Sequence, residues 1–317
     1  MRNWLRSPVL VLLVITTFYL SALLWADRQQ GLSQGLGAAM SYAPYLLIAT
    51  LVSYAFRFYR WWWLLNRAGY SLPIAKGLLS YLAGFAYTAT PGKVGELIRI
   101  RYFAKFGVPA ECTFGAFVFE RSCDLVAVLL LSLFIVNNSE ILLVSIGFVL
   151  VIVGSILLCA LKPAVLQSLE RFFAKLRIPL IPKALAFLHV GISHCRSWFN
   201  IADIAMGLVM GLAAWSVVGL SFVYLQSHFT DSIPFLEALS IYPLSMLVGA
   251  ASMIPGGVGS TEGAIMLLMG QYGVPVAISL LLSIVIRIST LWFGIVIGFF
   301  SLLCMEFFLR EEEKYSF

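Results

Sequence analysis

The chain has 317 residues, 61% of them apolar and 11% charged, with a mean hydropathy of +0.95, whereas soluble domains carry about 25% charged residues. A soluble globule is excluded. At about 20 apolar residues per bilayer crossing, residues 1–317 read as a single transmembrane domain with no separate soluble catalytic domain. The net charge of +6, from 21 Lys and Arg against 15 Asp and Glu, comes without a basic module interleaved with aromatics, so no nucleic acid partner is expected. Cytoplasmic loops and anionic lipid account for the excess instead.

In chain order, the first apolar run, Val9 to Trp25, follows the basic segment MRNWLRSP. No small-residue cleavage site of the A-x-A kind follows it, so it reads as a first spanning helix rather than a removed signal. Tyr42 to Leu65 is the second span; its Arg57 and Arg60, just before Trp61, Trp62 and Trp63, are expected to snorkel to the cytoplasmic surface. Leu72 to Phe106 is apolar but broken at Thr90-Pro91-Gly92. Thr113 to Val136, Ile141 to Leu161 and Ile204 to Leu225 are further spans. Ile233 to Tyr272 is broken at Pro255-Gly256-Gly257, and Val276 to Leu309 is the last span. Pro and consecutive glycines stop a helix, and open backbone at membrane depth survives only inside protein or along a watery cavity. The predicted fold is therefore all-α: about six spanning helices plus two re-entrant helical hairpins with tips at Pro91-Gly92 and at Pro255-Gly256-Gly257.

Loop charges set the orientation. Arg2, Arg6, Arg67, Lys76, Lys105, Arg310 and Lys314 fall on one side, together with the basic residues of the connection 162–203, whose amphipathic pattern suggests a helix on the cytoplasmic leaflet or a packed cytoplasmic hairpin. Both termini are then cytoplasmic, in a membrane of the bacterial inner-membrane type.

An internal repeat relates the two broken segments. Pro91, Gly92, Val94 and Gly95 fall on Pro255, Gly256, Val258 and Gly259; after a two-residue insertion, Gly107, Val108, Pro109 and Arg121 fall on Gly273, Val274, Pro275 and Arg287. The repeat cores are 72–136 and 233–309. Three complete spans lie between the hairpins, so one hairpin enters from each side and the repeats are inverted, a plan in which transporters place the substrate between the broken helices.

Ionisable groups in spans should be paired or functional. The first hairpin offers Lys93, Glu96, Arg99 and Arg101; the span after it Glu120, Arg121 and Asp124; the second repeat Glu262 and Arg287. Glu96 and Arg99, three apart, share a helical face, and Arg121 reaches Asp124. These nine side chains are the predicted substrate-binding set. Their cations outnumber their carboxylates by five to four, and freed amides at the broken helix ends would add to a site for a phosphate-bearing ligand. Glu262 is expected to orient a cation or a sugar hydroxyl.

Other chemistry finds little support in the sequence. Gly92-Lys93 lacks the remainder of a Walker A loop, and His189, His194 and His228 form no ligand cluster, so neither a cofactor nor a metal is expected. Cys112, Cys123, Cys159, Cys195 and Cys304 read as small buried hydrophobes.

At TPGKVGELIR and IPGGVGSTEGA the sequence resembles the flippase-like transmembrane region of the lysylphosphatidylglycerol synthase family, over nearly the whole chain. In fused members, the resemblance implies, this region moves a lipid between leaflets after a cytoplasmic domain aminoacylates it. Only Arg310 to Phe317 follow the last span here, so the transferase activity is not expected. By motif position, Lys93, Glu96, Arg99 and Glu262 are the implied functional residues. The expected function is translocation of an anionic phospholipid or a polyprenyl-phosphate-linked sugar. The alternatives are a non-transporting scaffold partnered with a lipid-modifying or glycosyl transferase, and a membrane enzyme acting on a lipid phosphate.

Overall fold

The structure, a computed structural model, describes residues 32–135, 139–162 and 191–315, together with 164, 168 and 189. The expected span Val9 to Trp25 and most of the connection 162–203 lie outside the described residues. Among the described residues the fold is helical with no strand: α1 (Leu32–Met40), α2 (Ala43–Arg67), α3 (Ile74–Ala83), α4 (Arg99–Phe103), α5 (Ala110–Ser132), α6 (Ser139–Leu161), α7 (Ile201–Ser227), α8 (Phe235–Ala251), α9 (Ser260–Gly270), α10 (Val276–Arg287) and α11 (Phe293–Tyr315). The protein is an all-α membrane protein. Glu140–Leu161, Ile201–Ser227 and Val276–Leu309 are long and apolar enough to span on composition alone.

The helices are built outside-in. On α2, Leu46, Thr50, Ser53, Arg57, Arg60 and Leu64 recur at helical spacing and are buried, while Ile48, Leu51, Val52 and Tyr59 face outward. Apolar side chains toward lipid and charged ones toward protein is the arrangement that keeps a charge out of hydrocarbon. In α6 the same logic is nearly one-sided: Leu143, Val144, Leu150 and Val151 are all exposed. The helix α7 packs most extensively on α2. Gly211 permits this, since a Cβ there would lie 3.0 Å from an Arg60 nitrogen, and Gly207, one turn earlier, lets α7 close on α5, where a Cβ would lie 2.8 Å from Cys123 Sγ.

Both broken segments fold as helical hairpins. In the first, α3 continues as a 3₁₀ turn over Gly84–Tyr87, the chain breaks, and the return arm runs through 3₁₀ turns over Pro91–Ile98 into α4. The second is α8, a break around Pro255–Gly257, and α9. The breaks match in backbone conformation: Gly92 (φ 60°) and Lys93 (φ 57°) correspond to Gly256 (φ 65°) and Gly257 (φ 64°). The hairpin exits match too. Val108 donates to Phe103 O at 3.2 Å and Val274 to Met269 O at 3.3 Å, with Gly107 and Gly273 at φ 75° and 76°. Pro109 and Pro275 then start α5 and α10. The sequence repeat is thus a repeat of backbone geometry.

The last helices serve as a ruler for how the hairpins meet. Val276–Leu309 is one apolar run of 34 residues, about 50 Å long, crossed by a π-turn at Ile288–Trp292. The sequence reading made it a plain single span. Along it, Ser80 contacts Met305, Tyr87 stacks edge-on with Phe299, and the first tip reaches the level of Leu291, where a Cβ on Gly256 would lie 3.5 Å from Ala89 Cβ. The second hairpin approaches from the other end, with α9 on α10 and Arg287 bonded to Gly256 O. The two hairpins therefore come from opposite ends of this helix and touch tip to tip.

Gly298 holds the first hairpin against the ruler: a Cβ there would sit 2.1 Å from Ala86 N, a backbone atom that cannot swing aside. Gly298→Ala should cost about 1–3 kcal/mol, read as a fall in thermal unfolding temperature in detergent; an unchanged temperature would mean that this contact is loose.

Of the connection 162–203, the described end at 191–199 is docked rather than lying free on a leaflet. Cys195 Sγ bonds Gly115 O and the buried Trp198 donates to Leu64 O.

Candidate functional site

A network of buried charges joins α2, the first hairpin and α5. Glu120 lies at its centre, fully buried. It accepts from Trp61 Nε1 at 2.6 Å, Tyr81 OH at 2.7 Å and Arg60 at 3.0 Å, and lies 3.1 Å from Arg121 and 3.5 Å from Arg99. One turn on, Asp124 is shared by Arg57 at 2.7 Å, Arg60 at 2.8 Å and Arg121 at 3.3 Å. Glu96 accepts from Thr88 at 2.8 Å and pairs with Arg99 at 3.1 Å. The Arg99 guanidinium rests 4.0 Å from the Tyr81 ring centre, in space that a Cβ on Gly84 would fill. Arg57 lies 4.7 Å from the Trp215 ring centre on α7. Ion pairs of this kind satisfy one another at membrane depth, where water cannot.

In the second repeat the charges are fewer and self-contained. Arg287 pairs with Glu262 at 3.0 Å and donates to the tip carbonyl Gly256 O. Glu262 also accepts from Gly259 N at 2.7 Å, capping the start of α9 with its own carboxylate.

Beside the touching tips, and lined in part by both, lies a cavity of ≈ 300 Å³. Part of the lining is polar: Thr50, Ser53, Tyr54, Thr88 and Thr90 stand with Arg57, Lys93, Arg121 and Arg287, and Asp124 is its single carboxylate among the described residues. The rest of the lining, from α5, α6, α7 and α8, is largely apolar, with Leu125, Val128, Phe148, Ile152, Trp215, Val218 and Leu247. Lys93 is distinctive. It holds a left-handed backbone, costly for any residue with a Cβ, and among the described residues it belongs to no ion pair. Arg57, Arg60, Lys93, Arg99 and Arg121 thus stand against only Glu96, Glu120 and Asp124, so this half of the site carries more positive than negative charge.

The predicted set divides. Lys93, Arg121, Asp124 and Arg287 line the cavity, as do Gly92, Gly256 and Gly257. Glu96, Arg99, Glu120 and Glu262 lie outside the lining: Glu120 holds Arg121 and Glu262 holds Arg287, which face the cavity, while Glu96 pairs with Arg99 deeper in the network. Pro91 and Pro255 shape the tips from outside the lining. Glu262 faces Arg287 rather than the cavity, and it takes the Gly259 amide at the start of α9. Arg101 lies elsewhere: its half-exposed side chain pairs with Glu306 at 3.0 Å on α11. Arg57 and Arg60, expected to snorkel, are instead buried at the centre. The sequence carried a signal for this, because their spacing of three matches the spacing of four between Glu120 and Asp124, the two faces that meet. Trp61 and Tyr81, both donors to Glu120, were also missed.

Exposed pairs contribute about 0–1 kcal/mol, so Arg101→Ala is expected to leave both the unfolding temperature and any transport activity close to wild type. A large loss of either would bring the Arg101–Glu306 pair into the site.

The model of the lysylphosphatidylglycerol synthase TM region matches residues 9–298. The chain belongs to this family. Within the curated proteins, a UPF0104 membrane protein of Methanothermobacter thermautotrophicus is 28% identical over 107 residues, 34% of this chain and 32% of that one. The match therefore spans about a third of that relative. No solved structure matches the chain. Membership ties the protein to a lipid-related membrane family, and the tip-to-tip hairpins and charged cavity are features of this family member's own chain.

Proposed function

We propose that the protein translocates an anionic lipid, a phospholipid or a polyprenyl-phosphate glycolipid, between the leaflets of the cytoplasmic membrane, with both termini cytoplasmic. The observation that carries this reading is Lys93, in no ion pair, in a cavity whose lining combines cations and hydroxyls with a large apolar share. A cation without a carboxylate is costly at membrane depth, and a ligand phosphate would supply the missing partner. Arg121, Arg57 and Arg287 would take the remaining oxygens, since guanidinium forks suit phosphate.

Size supports the same division of labour. A cavity of ≈ 300 Å³ has room for a phosphate head group. The chains would run past Phe148 and Ile152 on α6, the helix most exposed to lipid. Because the tips meet beside the cavity, a head group leaving one leaflet must part them to reach the other. The protein's part is binding, desolvation and gating, with no covalent step.

The scaffold reading draws on the sealed network around Glu120, which is structural in character. Purified protein in vesicles with a head-group-labelled anionic lipid decides between them. Translocation predicts leaflet exchange well above that of protein-free vesicles; exchange equal to theirs would favour the scaffold.

A further inference from the structure

The sign and size of the site's charge say more than that the ligand is anionic. Around Glu120, five cations stand against three carboxylates, while in the second repeat Arg287 and Glu262 cancel. Asp203, the remaining buried carboxylate among the described residues, pairs with Arg67 at 2.9 Å. Counting the partly exposed Lys93 and Arg121 with the buried groups, the site is therefore left with two positive charges in excess. They are not spread evenly. Arg60 and Arg99 are turned into the network, away from the cavity, whereas Lys93, Arg57 and Arg121 line it, and the last two share Asp124 with Arg60. The surplus faces the cavity.

From this surplus we propose that the preferred head group carries two negative charges on phosphate, as a lipid phosphate monoester or a lipid diphosphate, rather than the single charge of a phosphodiester. The inference rests on the translocation reading and narrows its substrate. A phosphodiester leaves one cation at membrane depth uncompensated. A monoester, close to doubly charged at neutral pH and with three acceptor oxygens, balances both and gives Lys93, Arg57 and Arg121 an oxygen each. A sugar joined through one phosphate is disfavoured on the same count; one joined through a diphosphate is not.

Binding separates this from the transport reading, because it needs no vesicle. Purified full-length protein in detergent is titrated with short-chain phosphatidic acid, phosphatidylglycerol of the same chains, and inorganic phosphate. Phosphatidic acid is expected to bind about ten-fold more tightly than phosphatidylglycerol, and Lys93→Gln, which removes one surplus charge, to shrink that ratio to about three-fold or less. The wild type gives a second readout that does not depend on the variant folding. Phosphatidic acid should bind more tightly as pH rises through the second phosphate ionisation, at about pH 6, relative to phosphatidylglycerol measured over the same range.

Equal affinity for the two lipids, or no relative change with pH, would overturn the proposal. Inorganic phosphate binding as tightly as phosphatidic acid would overturn its assignment to a lipid. A preference for phosphatidic acid without leaflet exchange would keep this inference and remove the transport reading, while equal exchange of both lipids would do the reverse.

Discussion

Lys93→Gly should leave the protein as stable as the wild type to within about 1 kcal/mol and should lower leaflet exchange of an anionic lipid by about ten-fold or more. Stability is spared for two reasons. The lysine has no carboxylate to leave behind, so its removal exposes no buried unpaired charge. Its backbone lies at φ 57°, where its counterpart in the second repeat is already a glycine, Gly257 at φ 64°. A lysine kept where glycine fits better points to use of its side chain. The two measurements are exchange in proteoliposomes and thermal unfolding of the same preparation. Full exchange by Lys93→Gly would remove Lys93 from the site.

Glu120→Gln is the opposite case. Trp61, Tyr81, Arg60, Arg121 and Arg99 all face this carboxylate within 2.6–3.5 Å, and losing its charge leaves four guanidinium groups, those of Arg57, Arg60, Arg99 and Arg121, sharing Glu96 and Asp124. Breaking a buried pair in this way costs about 3–5 kcal/mol. A large fall in unfolding temperature is therefore expected, with exchange lost along with the fold rather than ahead of it. A variant that unfolds at the wild-type temperature would show that the network around Glu120 is not what holds α2, the first hairpin and α5 together.

The breaks, the repeat and the pairs Glu96–Arg99 and Arg121–Asp124 were legible because each is a local signal: Pro-Gly stops a helix, and residues three apart share a face. What escaped was decided between helices. Read on α2 alone, Arg57 and Arg60 near a Trp cluster look like cations reaching for the surface; only α5 across from them makes them central. Arg101 is a local error, since residues two apart point to different sides of a helix, and Arg99 and Arg101 could not both face the site. Glu262 was misread for a related reason. Standing three residues after Gly259, it is in the position of a helix-capping carboxylate, and that competing role turns it toward the backbone and Arg287.

The central claim is that the head group passes between the two tips, so the tips must part. Ala89 and Gly256 offer a direct test, because their Cβ atoms would lie 3.5 Å apart, within reach of a disulfide. The double variant Ala89→Cys, Gly256→Cys is reconstituted, and leaflet exchange is measured on one sample when oxidised and again after reduction. The account predicts that exchange stops in the oxidised protein and returns on reduction; exchange that runs at the same rate in both states would contradict it.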